Sequence, residues 1–434
     1  MREWTHGVLA DVADIRPSNV DKLSIQGEQP VRLCNYMDVY ANERITQDLP
    51  FMDATATGAE IARFRVEDGD VMLTKDSETP DDIGIPAVVA DALPDLVCGY
   101  HLALLKPRTE KIDPKFLAKQ LASGEAASYF ARVANGSTRY GLSYNAIART
   151  PLRWPALFQQ RRIGEILFTL DEAIEQTEAL IAKTQAIKAG LMHDLFTRGV
   201  TADGELRPPR EEAPQLYQQS PRGWIPNDWR VEFLDDIAQR GSGHTPSKSF
   251  PEYWNGGIKW ISLADSWRLD RVHIFDTEHQ ISQSGIEHSS AVLHPPGIVV
   301  LSRDAGVGKS AITTCEMAVS QHFMCWRCGP RIDNYFLYYW LQYRKREFEN
   351  IATGSTIPTI GLRYFKHYQV CLPQAVSEQE LIASTLLAAD EKVFAVEADL
   401  AKMREQKAGL MHDLLTGRVP VPLPAHAPAP AVEA

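Results

Sequence analysis

The chain has 434 residues, 44% hydrophobic and 23% charged, which allows two or more well-filled domains and excludes a disordered or fibrous protein. Its net charge of −11 argues against simple electrostatic coating of nucleic acid and leaves that role to local basic faces. No apolar run is long enough to span a bilayer, the N-terminus lacks a secretory apolar stretch, and the six cysteines form no framework, so a reducing cytoplasm with no membrane partner is expected.

Residues 1–156 read as a mixed α/β domain. The run "GDVMLTK" is a short strand ending at Lys75, and "DPKFLAKQLASGEAASYFARVA" is an amphipathic helical stretch leading into a Gly-Ser-Thr loop. Basic, polar and aromatic residues then gather: Arg139, Tyr140, Ser143, Asn145 and Arg149. Arginine and lysine neutralise phosphates and asparagine reads base edges, so these residues and Lys75 are candidate DNA contacts. The ordinary alternative is a solvated face with extended basic side chains.

Residues 157–199 form one long predicted helix. Ile163, Leu167, Leu170, Ile174, Thr177, Ile181, Thr184, Lys188, Leu191 and Leu195 alternate spacings of four and three. A period of 3.5 held over several heptads predicts a coiled-coil seam, interrupted by threonine and lysine. The helix ends in "KAGLMHDL", where Gly190 costs about 1 kcal/mol relative to alanine and implies close backbone approach. Gly199 would close it. Residues 200–228 are Pro-rich and polar, and read as a linker.

Residues 229–373 repeat the first pattern. "GIVVLSRD" is a strand, "DNYFLYYWLQYRKREFENIA" is helical, and a second Gly-Ser-Thr loop follows at Ser355 and Thr356. Candidate DNA contacts here are Arg303, Lys309, Arg363, Tyr364, Lys366 and His367. Residues 374–419 are the second long helix, opened by a capping-box-like Ser377–Glu380 run and closed by Gly417. Its seam is Ile382, Leu386, Ala389, Val393, Val396, Leu400, Met403, Lys407, Leu410 and Leu414, and it repeats "KAGLMHDL" with Gly409. The Pro/Ala-rich tail 420–434 is expected to be disordered.

The two halves therefore align as an internal duplication. "KIDPKFL" meets "RIDNYFL", "DVMLTKD" meets "IVVLSRD", and the Trp4 opening meets Trp229. The cheapest partner for each seam is the other helix, and a whole domain between them permits an antiparallel pair. In each octapeptide a histidine and an aspartate fall off the seam: His193 and Asp194, His412 and Asp413. They are solvated residues or the place where a partner docks.

Two motifs resemble chemistry without completing it. "GVGKS" at Gly306–Ser310 lacks the earlier glycine of a phosphate loop, the position being Arg303. Cys325 and Cys328 form a C-x-x-C near His322 without a second pair to complete a zinc site. No catalytic residue, metal site or cofactor fingerprint is assigned to the chain.

Two divergent α/β modules, each followed by a similar long helix ending in a run like "KAGLMHDLLTGRV", resemble the specificity subunit of a type I restriction–modification system. The openings at Trp4 and Trp229, the "VVLSRDAGVGKSAI" loop and the "STIPTI" run resemble its target-recognition domains. The first half departs at Asp76–Pro86, where an acidic loop replaces the glycine-rich one. The resemblance implies a non-catalytic subunit whose two recognition domains each read half of a split site in double-stranded DNA. It implies an antiparallel helix pair that fixes the spacer and docks two methyltransferase subunits, with restriction subunits added. S-adenosylmethionine, Mg and ATP would belong to those partners, which methylate adenine after flipping it out. The competing expectations are a stand-alone nucleic-acid enzyme using the GVGKS loop, and a coiled-coil scaffold without DNA specificity.

Overall fold

The computed structural model describes residues 4–354 and 358–421. Ser355, Thr356 and residues 422–434 of the expected tail lie outside them. Val421, assigned to that tail, is buried in a core. The chain divides into two units: Met1–Glu178 with Ala398–Ala434, and Ala179–Glu397.

In the first unit a five-stranded sheet has the order Ala13–Pro17, Leu102–Pro107, Val71–Thr74, Pro86–Val89, Arg44–Ile45, antiparallel except for the last, parallel pair. Strand periodicity splits its side chains between two cores. Val71 and Leu73 pack with Phe116 and Leu117 of the helix Pro114–Leu121, and Met72 packs with Val31 and Leu33 of a three-stranded sheet. The helix begins where it does because Asp113 accepts from the Phe116 amide at 3.0 Å.

The second unit has the same plan. Its five-stranded order is Ala238–Ser242, Phe323–Cys328, Val299–Ser302, Ser310–Thr313, His273–Ile274, again with a parallel last pair. Val299 and Leu301 pack on the helix Asn334–Tyr343, and Val300 on Ile261, Met317 and Val319 of a four-stranded sheet. Asp333 caps that helix, accepting from Phe336 at 2.8 Å. The aligned "KIDPKFL" and "RIDNYFL" runs are thus two helix starts.

The long helices are Leu157–Arg198 and Val376–Leu415. Within each unit the early part of one meets the late part of the other. In the first unit Ile163, Leu167 and Phe168 share a core with Leu414 and Leu415. In the second, Leu195 and Phe196 share one with Ile382, Ala383 and Leu386. Along the seam Leu170, Ile174, Ile181, Leu191, Val396 and Leu410 are partly buried, and Val393 and Leu400 are buried.

The polar interruptions have partners. Thr177 and Thr184 donate to the carbonyls of Ala173 and Leu180 one turn back, at 2.6 and 2.7 Å. Lys188 pairs with buried Asp390 of the other helix, which also accepts from the Tyr339 hydroxyl at 2.9 Å. Lys407 pairs with buried Asp171 at 2.8 Å, and Lys119 reaches the same carboxylate at 2.5 Å. The lysine of each octapeptide is therefore the cation for an aspartate on the opposite helix.

Three expectations change. The second helix begins at Val376, so Ser377 lies inside it rather than capping it. The Glu378 carboxylate instead accepts from Trp229 Nε1 at 3.0 Å, the Val200 amide at 3.0 Å and Arg207 at 2.5 Å. That anchor orders segment 200–228, which carries a hairpin of Tyr217–Ser220 with Gly223–Pro226 where a linker was expected. Finally, a Cβ on Gly190 or Gly409 would meet nothing within 4 Å, so no close approach among the described residues explains either glycine.

Candidate nucleic-acid interface

Each unit places a base, an aspartate and a histidine together at the end of its central strand. In the first, Lys75 lies 3.9 Å from Asp76, whose carboxylate is 3.0 Å from His101 Nδ1. In the second, Arg303 lies 3.5 Å from Asp304, whose carboxylate is 2.8 Å from His322 Nδ1. The aspartates were visible in the aligned "TKD" and "SRD" runs. The histidines were not paired with them, because they reach their partners from the neighbouring strand of the folded sheet.

The expected DNA contacts divide into presented and committed side chains. In the first unit Tyr140 sits in a short strand paired with Asp76–Ser77, which brings the 139–149 segment beside Lys75. Arg139, Asn145 and Arg149 are exposed. Lys75 covers the ring of exposed Tyr100 at 4.4 Å. The Ser143 hydroxyl caps the helix Tyr144–Ala148, accepting from Ala146 at 3.2 Å, which gives it a local structural role.

In the second unit the Ile360 amide donates to the Arg303 carbonyl at 2.9 Å, bringing the 358–367 segment beside that loop. Arg363, Lys366 and His367 are exposed. Tyr364 turns inward instead and donates to Glu347 at 2.9 Å. Burial would raise the Glu347 pKa, but Arg222, Arg344 and Tyr364 hold it below the ordinary value. Lys309 donates to the Ser266 carbonyl at 3.1 Å, so part of its hydrogen-bonding capacity is used within the unit.

Each unit also carries a groove, and these were invisible in the sequence. In the first, Gln29–Cys34 runs parallel to Leu96–Cys98, and the residues after both strands line a cleft of ≈ 690 Å³ with Asp76 and His101 on its wall. Asp38, Glu78 and Asp82 also line it, with Arg139 and Lys22 as its other charges. In the second, Trp254–Ile261 runs parallel to Met317–Val319, and the residues after both line a cleft of ≈ 710 Å³ that includes His322. Among the described residues, no aspartate or glutamate lines this second cleft. Parallel pairing between strands more than fifty residues apart in sequence assembles each cleft, so no local motif announces it.

The two incomplete motifs resolve structurally. The GVGKS segment joins two antiparallel strands, Val299–Ser302 and Ser310–Thr313, whereas a phosphate loop leads from a strand into a helix. Cys325 and Cys328 lie three apart on one strand and face different cores, which prevents both from binding one metal.

At the helix ends His193 and His412 are exposed. His193 Nδ1 lies 3.3 Å from the Tyr343 hydroxyl, and Asp194 pairs with Arg198 at 3.6 Å. Asp413 is partly buried near the end of the second helix.

Residues 226–402 match the family described as type I restriction modification DNA specificity domain. The HindI type I restriction enzyme specificity subunit of Haemophilus influenzae is 22% identical over 414 residues, covering 82% of this chain and 88% of that one. The MjaIX type I restriction enzyme specificity subunit of Methanocaldococcus jannaschii is 27% identical over 179 residues, 41% of each chain. The crystal structure of the S subunit of the type I restriction-modification system from M. genitalium is similar in fold, with a TM-score of 0.60 at 14% identity over 95% of this chain and 96% of that one.

Proposed function

We propose, from the premise that this chain belongs to the specificity subunits of type I restriction–modification systems, that it reads a bipartite site in double-stranded DNA, one half per unit. The observation that carries the reading is the repeated base–Asp–His group beside a groove, once in each unit. Two related modules suit two half-sites, as protein symmetry mirrors half-site spacing elsewhere. The exposed Arg139, Arg149, Arg363 and Lys366 supply phosphate contacts. The long helices pair as an antiparallel coiled coil that sets the spacer.

The chain supplies no chemistry in this reading. Two methyltransferase subunits dock at the repeated octapeptides, around His193, Asp194, His412 and Asp413. They bring S-adenosylmethionine and modify adenine, and restriction subunits bring the steps that need Mg and ATP. Gly190 and Gly409 support docking there: each weakens its helix, and no contact among the described residues makes use of either. A partner backbone seated on that face would.

The test is co-expression with the methyltransferase subunit and base-resolution mapping of methylated adenines. One split motif with a fixed spacer is expected. Stable assembly without methylation at any defined motif would contradict sequence reading and favour a scaffold.

A further inference from the structure

The groove of the second unit has features that phosphate contact does not require. Its wall is rigid: the indoles of Trp254 and Trp260 meet edge to face at 5.3 Å, and their N–H groups donate to the Ser247 and His244 carbonyls at 3.2 and 3.1 Å. Asn255 lines the groove with φ of 58°, a conformation that glycine adopts more cheaply. Ser320 follows the strand Met317–Val319 at the groove, 0% exposed, and its hydroxyl has no hydrogen-bond partner among the described residues. A buried hydroxyl left unpaired is costly, so a missing partner is a positive signal. Lys248 stands exposed at the same groove, which among the described residues no carboxylate lines.

We infer that this groove binds a single nucleotide, with its base against Trp254, its polar edge at Asn255 and Ser320, and its phosphate at Lys248. The chemistry suits that class. Tryptophan offers a stacking surface to any base, a carboxamide pairs with base edges, and lysine meets the phosphate. The volume falls within the ~300–1,000 Å³ of small-molecule sites. The nucleotide is either free in solution or unstacked from bound DNA. The second source rests on the DNA-reading function proposed above, and the first does not.

Two arms separate the sources. In one, dAMP, dCMP, dGMP and TMP are titrated separately into the full-length protein and tryptophan fluorescence is followed. In the other, the complex with the methyltransferase subunit is bound to duplexes carrying the mapped site, with one mismatch placed at each position in turn. A mismatch lowers the cost of taking a base out of the stack, so one position in one half-site should bind severalfold tighter. Saturable quenching identifies a free nucleotide, and a tightening mismatch away from the methylated adenines, which the methyltransferase subunit itself would flip, identifies one drawn from DNA into this groove. In either arm Ser320→Ala should weaken the effect by about fivefold, the loss of one hydrogen bond. Because that variant removes an unpaired hydroxyl, its Tm should stay level or rise, which separates lost binding from lost folding. No quenching and no tightening mismatch in the wild-type protein would overturn the inference, as would effects that persist undiminished in both Ser320→Ala and Trp254→Ala. If the complex selects no DNA sequence, the DNA reading fails while the mononucleotide arm still judges the groove.

Discussion

Gly190 and Gly409 give the sharpest test at the scale of single residues. Both sit on open helix faces, so alanine at each should raise stability by about 1 kcal/mol. The same double variant should assemble less tightly with the methyltransferase subunit, measured by thermal melting beside native mass spectrometry. Higher stability with unchanged assembly would remove the docking role of that face. On the DNA side, Arg363→Ala with Lys366→Ala should weaken binding similarly across sequences and lower the salt slope by about 1–2. A change confined to one base of the motif would make these residues base readers. Tyr364 does not belong in that test, because its hydroxyl is tied to Glu347. The sequence placed it among exposed basic neighbours, and only tertiary packing turned it inward.

At the scale of elements, the crossed ion pairs distinguish the two helix contacts. Among the described residues Lys188 is the one cation paired with Asp390, whereas Asp171 is shared between Lys407 and Lys119. Lys188→Met should therefore cost about 3 kcal/mol in urea denaturation, and Lys407→Met distinctly less. Equal losses would mean that the pairs are held by packing alone. The first-unit cluster also sets a pH dependence. Burial would raise the Glu43 pKa, but Lys119 and Lys407 lower it by more. A carboxylate depressed in the folded state contributes stability that is present above its unfolded pKa of about 4.3 and lost as pH falls through the folded value. Wild-type stability should thus fall below about pH 4, and Glu43→Gln should flatten that fall. An identical acid limb in the variant would show that the cluster contributes nothing.

These helices were readable in the sequence because a 3.5-residue repeat is a local signal. So were the helix starts at Asp113 and Asp333, where a capping residue precedes an apolar run. The hairpin in 200–228 was hidden behind a polar, Pro-rich composition, because the group that orders it, Glu378, lies on the second long helix. The grooves were hidden for a related reason. Their walls come from residues that follow parallel strands far apart in sequence, and from histidines whose aspartate partners lie on another strand.

At the scale of the whole molecule, a net charge of −11 is compatible with DNA reading, since exposed residues such as Arg139, Arg149, Arg363 and Lys366 supply local positive charge. The two units share a plan but not a chemistry. Among the described residues, one groove is lined by several carboxylates and the other by none, so the two half-sites should differ in sequence. The central claim is that two related readers are held at a spacing set by the paired helices. Its most direct test is to insert one heptad at matching points of both helices and to map methylated adenines at base resolution. Seven residues add about 10 Å to each helix, close to three base pairs at about 3.4 Å each. Both half-sites should stay unchanged and the spacer should lengthen by about three base pairs. Methylation at the original spacing, or at altered half-sites, would contradict it.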